Sequence, residues 1–203
     1  MNHKHLSFMF LLVSLVLVGS AITACGSSTL PASSSASAPP AATTSTVHQA
    51  VPLTTVDWRN FTYTSSCFSD KAQQFVVRNG MGVLNGVHLQ VYTPVYGDLT
   101  GDGQPEAAIP YSCTAADFGG VNVFVYTGNA SKPVLLGELD VMSPGSNNGG
   151  TVETVTISKG IIQLVGKGYT PDAPHCCPDL RIQTSYRWNG SHFVMVSNEV
   201  TKL

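Results

Sequence analysis

The residues able to do chemistry fall into two groups. Asp98, Asp102, Glu106, Asp117, His88 and His175 are the candidate acids and bases of an enzyme. None of the patterns G-x-S-x-G, H-E-x-x-H or S-x-x-K accompanies them. Asp98, Asp102 and Glu106 share one glycine-rich turn, where bonding to backbone N–H groups is the simpler use of a carboxylate. The second group is cysteine. Cys25 stands near the start, and Cys67, Cys113, Cys176 and Cys177 are spread over the remainder. His175-Cys176-Cys177 with Cys67 and Cys113 has the residue types of a zinc site. It lacks Cys-x-x-Cys spacing, however, and adjacent ligands bite poorly on a tetrahedral ion. An even set outside the cytoplasm reads instead as two disulfides. Neighbouring side chains of an extended strand point to opposite sides. The expectation is therefore that Cys176 and Cys177 each join Cys67 or Cys113, rather than each other.

The segment that precedes these groups is not part of a fold. Lys4 lies in a short polar start, Leu6 to Val18 is an apolar run, and small residues lead up to Cys25. That order marks a secretory signal; an uncleaved membrane helix is the competing reading. Ile22-Thr23-Ala24-Cys25 resembles the bacterial lipobox. The resemblance implies that residues 1–24 are a signal peptide and that Cys25 carries a diacylglyceryl group on its sulfur and becomes the mature N-terminus. Two or more acyl chains of the palmitate kind hold a protein at a bilayer where one would not. The expected location is the extracytoplasmic face of a bacterial cell membrane, with the lipid bilayer as partner. Ser27 to Thr46 has no charge and no aromatic residue, so residues 25–50 read as a disordered Ser/Ala/Thr/Pro tether.

Residues 51–203 are enough for one domain with a sizeable core. Charged residues are 11 % of the chain, against about 25 % in an average soluble domain. Without the leader, nine basic residues face twelve acidic ones, which makes nucleic acid an unfavourable partner. The punctuation is that of a β protein. Val121 to Tyr126 alternates before a turn at Gly128-Asn129. Thr151 to Ile157 and Ile161 to Val165 flank a three-residue loop, Ser158-Lys159-Gly160. Asn189-Gly190 predicts a two-residue hairpin loop that pairs Trp188 with Ser191, Arg187 with His192 and Tyr186 with Phe193. Tyr186, Trp188, Phe193 and Met195 then share one face, and His192 is a solvated strand residue. Asn79-Gly80 and Asn85-Gly86 are two further turn signals, too close together for both to close full hairpins. Ser69 to Gln74 could form one or two helical turns capped by Ser69, and Met142 to Gly150 is a surface loop. The sum is a mainly β fold: a single antiparallel domain, either a sandwich or a bent, partly open barrel, with disulfides.

Two passages carry a family resemblance. Val95 to Ala108 (VYGDLTGDGQPEAA), and Pro171 to Pro178 (PDAPHCCP) followed by Tyr186-Arg187-Trp188-Asn189-Gly190, are, together with the lipobox, similar to the LppP/LprE-type bacterial lipoproteins. The resemblance implies an envelope lipoprotein and carries no enzymatic activity with it. Asp98 to Glu106 also resembles the D-x-N-x-D-G-x-x-D/E loops of integrin-type propeller blades and dockerins. That likeness implies a calcium loop in which Asp98, Thr100, Asp102 and Glu106 give side-chain oxygens and Gln104 its carbonyl. Thr100 stands where those loops have Asn or Asp, and Ile109 where an EF-hand has its bidentate Glu. The competing reading is a metal-free turn held by its aspartates. The sequence thus favours a noncatalytic module that binds a partner or supports the envelope. A small-molecule-binding lipoprotein and an envelope hydrolase are the alternatives.

Overall fold

The computed structural model describes residues 51–115, 118–144, 150–174 and 176–203. The signal, Cys25, the tether, Asp117, His175 and part of the loop after Met142 lie outside the described residues.

Two short 3-10 turns, Leu53–Thr55 and Trp58–Asn60, open the domain, and Asp57 caps the second through the Arg59 N–H. β1 (Thr62–Ser65) and β2 (Gln73–Val76) form a small ribbon. β3 (Met81–Leu84), β4 (Val87–Val91), β5 (Val95–Gly97), β6 (Glu106–Ala115), β7 (Phe118–Asn129) and β8 (Lys132–Leu139) make a six-stranded sheet of order β3-β4-β6-β7-β8, with β5 also paired to β6. β9 (Thr151–Ser158), β10 (Ile161–Gly168), β11 (Leu180–Trp188) and β12 (Phe193–Lys202) form a four-stranded meander of order β12-β11-β10-β9. Every pairing is antiparallel, and the sheets stay open rather than closing a barrel.

Side chains alternate across a strand, and β6 and β7 use both faces. Ala107, Ile109 and Tyr111 of β6, with Phe124 and Tyr126 of β7, pack against Leu53, Trp58, Tyr63, Phe75 and Leu89. Ala108, Val123 and Val125 point the other way, against Val152, Ile162, Leu164, Leu180 and Ile182 of the four-stranded sheet. The six-stranded sheet therefore lies between two cores. Burying each large side chain contributes about 1.5–3 kcal/mol. The first core is the aromatic one: Phe124 stacks on Tyr111 with ring centroids 3.7 Å apart and on Tyr63 at 5.1 Å.

Several local expectations change. The β11–β12 loop has four residues, Asn189 to His192, because the ladder pairs Trp188 with Phe193 and Tyr186 with Met195. The Asn189 side chain explains the longer loop: its Oδ1 accepts the N–H groups of Ser191 and His192, both at 2.9 Å. His192 is thus a turn residue, not a strand residue. Tyr186, Trp188, Phe193 and Met195 nonetheless share one face, since the register moves by an even step. The β9–β10 loop has two residues rather than three: Ser158 pairs with Ile161, and Lys159 and Gly160 take φ of 51° and 72°. The β7–β8 turn falls at Ala130-Ser131, beyond Gly128-Asn129. Asn79-Gly80 closes only one bridge, Arg78 with Met81, whereas Asn85-Gly86 closes the full β3–β4 hairpin. Ser69 to Gln74 forms no helix. Gln73 and Gln74 are drawn into β2, which places Phe75 opposite Tyr63 in the aromatic core.

Candidate functional site

The Asp98–Glu106 turn connects β5 to β6, and its carboxylates are occupied by the turn itself. Asp98 accepts the Gly101 N–H at 2.7 Å on Oδ1 and the Gly103 N–H at 3.0 Å on Oδ2. Asp102 accepts the Gln104 N–H at 2.8 Å. Gly101 and Gly103 take φ of 82° and 81°, where a side chain would be strained. Glu106, the first residue of β6, is 1 % exposed. Its Oε2 receives the N–H groups of Leu99 (2.7 Å) and Thr100 (3.0 Å). Its Oε1 receives the hydroxyls of Thr100 (3.2 Å) and Thr127 (2.8 Å). A calcium shell needs six to eight oxygens facing one point. Here both Glu106 oxygens are turned onto protein donors, and among the described residues no three of His, Cys, Asp and Glu gather as a metal site. Asp98, Thr100 and Asp102 thus brace the turn, with Glu106 as its buried anchor and Gln104 as a backbone donor.

The cysteine pairing differs from expectation. Cys67, just after β1, is bonded to Cys113 on β6, with Cα atoms 5.8 Å apart and 46 residues between them in sequence. Cys176 and Cys177 are bonded to each other in the loop between β10 and β11. The reason lies in the layering. Cys113 lies on the face of β6 that meets the aromatic core, whereas β10 and β11 pack on the opposite face. The strands that flank Cys176–Cys177 thus pack on the sheet face opposite Cys113, an arrangement that disfavours the expected distant bonds.

Of the candidate bases, His88 is exposed on β4, opposite Val83 and Thr114. The ring of exposed His192 meets Asn189 and Ser191. A polar group that the sequence did not disclose lies beside the Cys67–Cys113 bond. Tyr111 donates its hydroxyl to Glu138, and Ser65 donates to the same carboxylate oxygen at 3.2 Å. The Ser65 hydroxyl is also 3.4 Å from the Cys67 sulfur. Burial, and then the Glu138 carboxylate, push the Tyr111 phenol well above its ordinary range, so it stays a proton donor. Two smaller polar contacts lie elsewhere, one beside the second core and one at the base of the β10–β11 loop. Tyr186 donates to the Asp140 carbonyl at 2.9 Å, and burial raises the Asp140 carboxyl. Asp179 accepts the Thr170 N–H at 2.8 Å and its hydroxyl at 2.7 Å, bonds that hold its carboxyl below the usual range. Tyr111 with Glu138 and Tyr186 with Asp140 join residues far apart in sequence, which only the strand register brings together.

Among the described residues, β12 is the longest strand at a sheet edge. β9 is covered by β5 and β7, β3 is four residues long, and β8 carries Pro133 and a bulge. β12 spans ten residues and contains no proline, with one bulge at Val196. Val194, Met195 and Val196 along it are 41 %, 46 % and 48 % exposed. No protein-family model, no curated protein and no solved structure matches this chain.

Proposed function

We propose that the protein is a membrane-anchored extracytoplasmic lipoprotein whose β domain is a noncatalytic module, held off the bilayer by its tether. The observation that carries this reading is Ile22-Thr23-Ala24-Cys25, set directly after an apolar run and before an uncharged stalk. The domain adds support. Asp98, Asp102 and Glu106, the carboxylates an enzyme would use, are bonded to backbone N–H groups. His88 and His192 sit on the exposed surface. The open β12 edge suits a partner that adds an extended strand, which favours a binding role over passive support.

Cys25→Ala tests the anchor. Cells expressing wild type and the variant are fed an alkyne-bearing fatty acid, then fractionated. Wild type should take up the label and sediment with membranes. The variant should lose the label and either appear in the soluble fraction or accumulate as unprocessed precursor. A variant that keeps label and membrane association overturns the proposal.

A further inference from the structure

The two disulfides are built for different work. Cys67–Cys113 ties segments 46 residues apart beneath the aromatic core, with Cys67 9 % exposed. Cys176–Cys177 joins sequence neighbours, and both residues are exposed. A cross-link stabilises chiefly by closing a chain loop in the unfolded state. A bond between neighbours closes no such loop, so stability does not account for it. The segment that carries it is fastened by other means. At its neck Thr170 bonds Asp179 twice, and the Asp179 N–H donates to the Gly168 carbonyl at 3.1 Å. The Leu203 N–H donates to the Asp179 carbonyl at 2.9 Å. Within it, the Ala173 N–H reaches the Thr170 carbonyl and the Cys177 N–H the Pro174 carbonyl. Opening the sulfur–sulfur bond breaks none of these contacts.

We propose that Cys176–Cys177 is a surface site of thiol–disulfide exchange whose substrate class is a dithiol. A thiolate of the dithiol attacks one of the two sulfurs. The S–S bond breaks, a mixed disulfide forms, and the neighbouring cysteine leaves as thiolate. The second thiol of the substrate then attacks the mixed disulfide and departs as its own intramolecular disulfide. Two electrons and two protons have passed to Cys176 and Cys177, which end as thiols on adjacent residues. The domain fold is unchanged by the exchange, because the neck and Cys67–Cys113 remain closed.

The test uses the full-length protein under native conditions with dithiothreitol as the dithiol, followed by alkylation and peptide mass mapping. Cys176 and Cys177 should become alkylated at reductant concentrations about tenfold or more below those that open Cys67–Cys113, with the melting temperature unchanged. The double variant Cys176→Ser, Cys177→Ser should melt like wild type and consume no dithiothreitol in that range. Simultaneous opening of both bonds overturns the proposal. So does a fall in melting temperature as Cys176–Cys177 opens, or in the double variant, since either would make the bond a structural one.

Discussion

Glu106 gives the sharpest test of how the Asp98–Glu106 turn is held. Its carboxylate is buried and receives four donors: two backbone N–H groups and two threonine hydroxyls. A hydrogen bond to a charged group contributes roughly 1.5–3 kcal/mol, and such bonds on one residue do not add. Glu106→Ala strands the Leu99 and Thr100 N–H groups, which cannot rotate to other partners. We expect a loss of about 4 kcal/mol, the scale of a broken buried polar network. Glu106→Gln separates charge from geometry. Its amide oxygen can keep the two N–H groups, while its NH₂ faces two hydroxyls that can turn to accept. Only the charge-assisted part is lost, about 1–2 kcal/mol. A domain of this size loses about 2–4 °C of melting temperature per kcal/mol, so Ala should fall by about 8–16 °C and Gln by about 2–8 °C. Calorimetry and urea titration read both. Equal losses for Ala and Gln, or an Ala loss under about 1 kcal/mol, would refute the account. So would a wild-type melting temperature that millimolar calcium raises and that Asp102→Ala renders insensitive, since a ligand bound only to the native state must stabilise it.

The other expectations concern separate sites. Cys67→Ser with Cys113→Ser should cost about 2–4 kcal/mol in nonreducing urea titrations, the scale of a bond closing a loop of tens of residues. Gly97 on β5 lies directly against the Ile157 side chain, with no room for a Cβ. Gly97→Ala should cost about 1–3 kcal/mol, and much of that loss should disappear in the background of Ile157→Ala, as a double-mutant cycle measures. Asp179 has a depressed carboxyl pKa in the folded state, so its contribution is present above the unfolded carboxylate value and is lost as pH falls through the folded one. Amide exchange at Thr170 should therefore accelerate in acid, and Asp179→Asn should remove that acid dependence. Val196→Lys on β12 should leave the melting temperature within about 2 °C of wild type, while lowering light scattering at high protein concentration, because a charge on an open edge opposes strand addition.

The legibility of the chain followed the range of the interactions. Val121 to Tyr126 alternates because one face meets each core, and that pattern lies wholly within β7. Tyr186, Trp188, Phe193 and Met195 came out on one face despite a misjudged loop, since parity survives an even shift in register. What failed needed tertiary context. Nothing local in Cys176-Cys177 says that its flanking strands pack on the sheet face opposite Cys113. Gln73 and Gln74 look helical alone and become strand because Phe75 fills a space beside Tyr63. Glu138 meets Tyr111 only because it lies opposite Phe124 across β7 and β8, a register set partly by a bulge. In the Asp98–Glu106 turn the residue types allowed both a cation and a backbone-bonded turn; the burial of Glu106 onto backbone and threonine donors could not be read from the sequence.

The position of β6 and β7 between two cores has a thermodynamic consequence. Ala107 and Ala108 are neighbours in the chain yet belong to different interiors. The same two strands form a party wall, so neither interior can melt while the other stays intact. Loss of the β9–β12 sheet would bare Ala108, Val123 and Val125 to water, and loss of the β1–β2 ribbon would bare Phe124 and Tyr126. Heat denaturation should thus register as one calorimetric peak with matching calorimetric and van't Hoff enthalpies. A chain ending before Thr151 should remain unfolded, since half of its wall would face solvent.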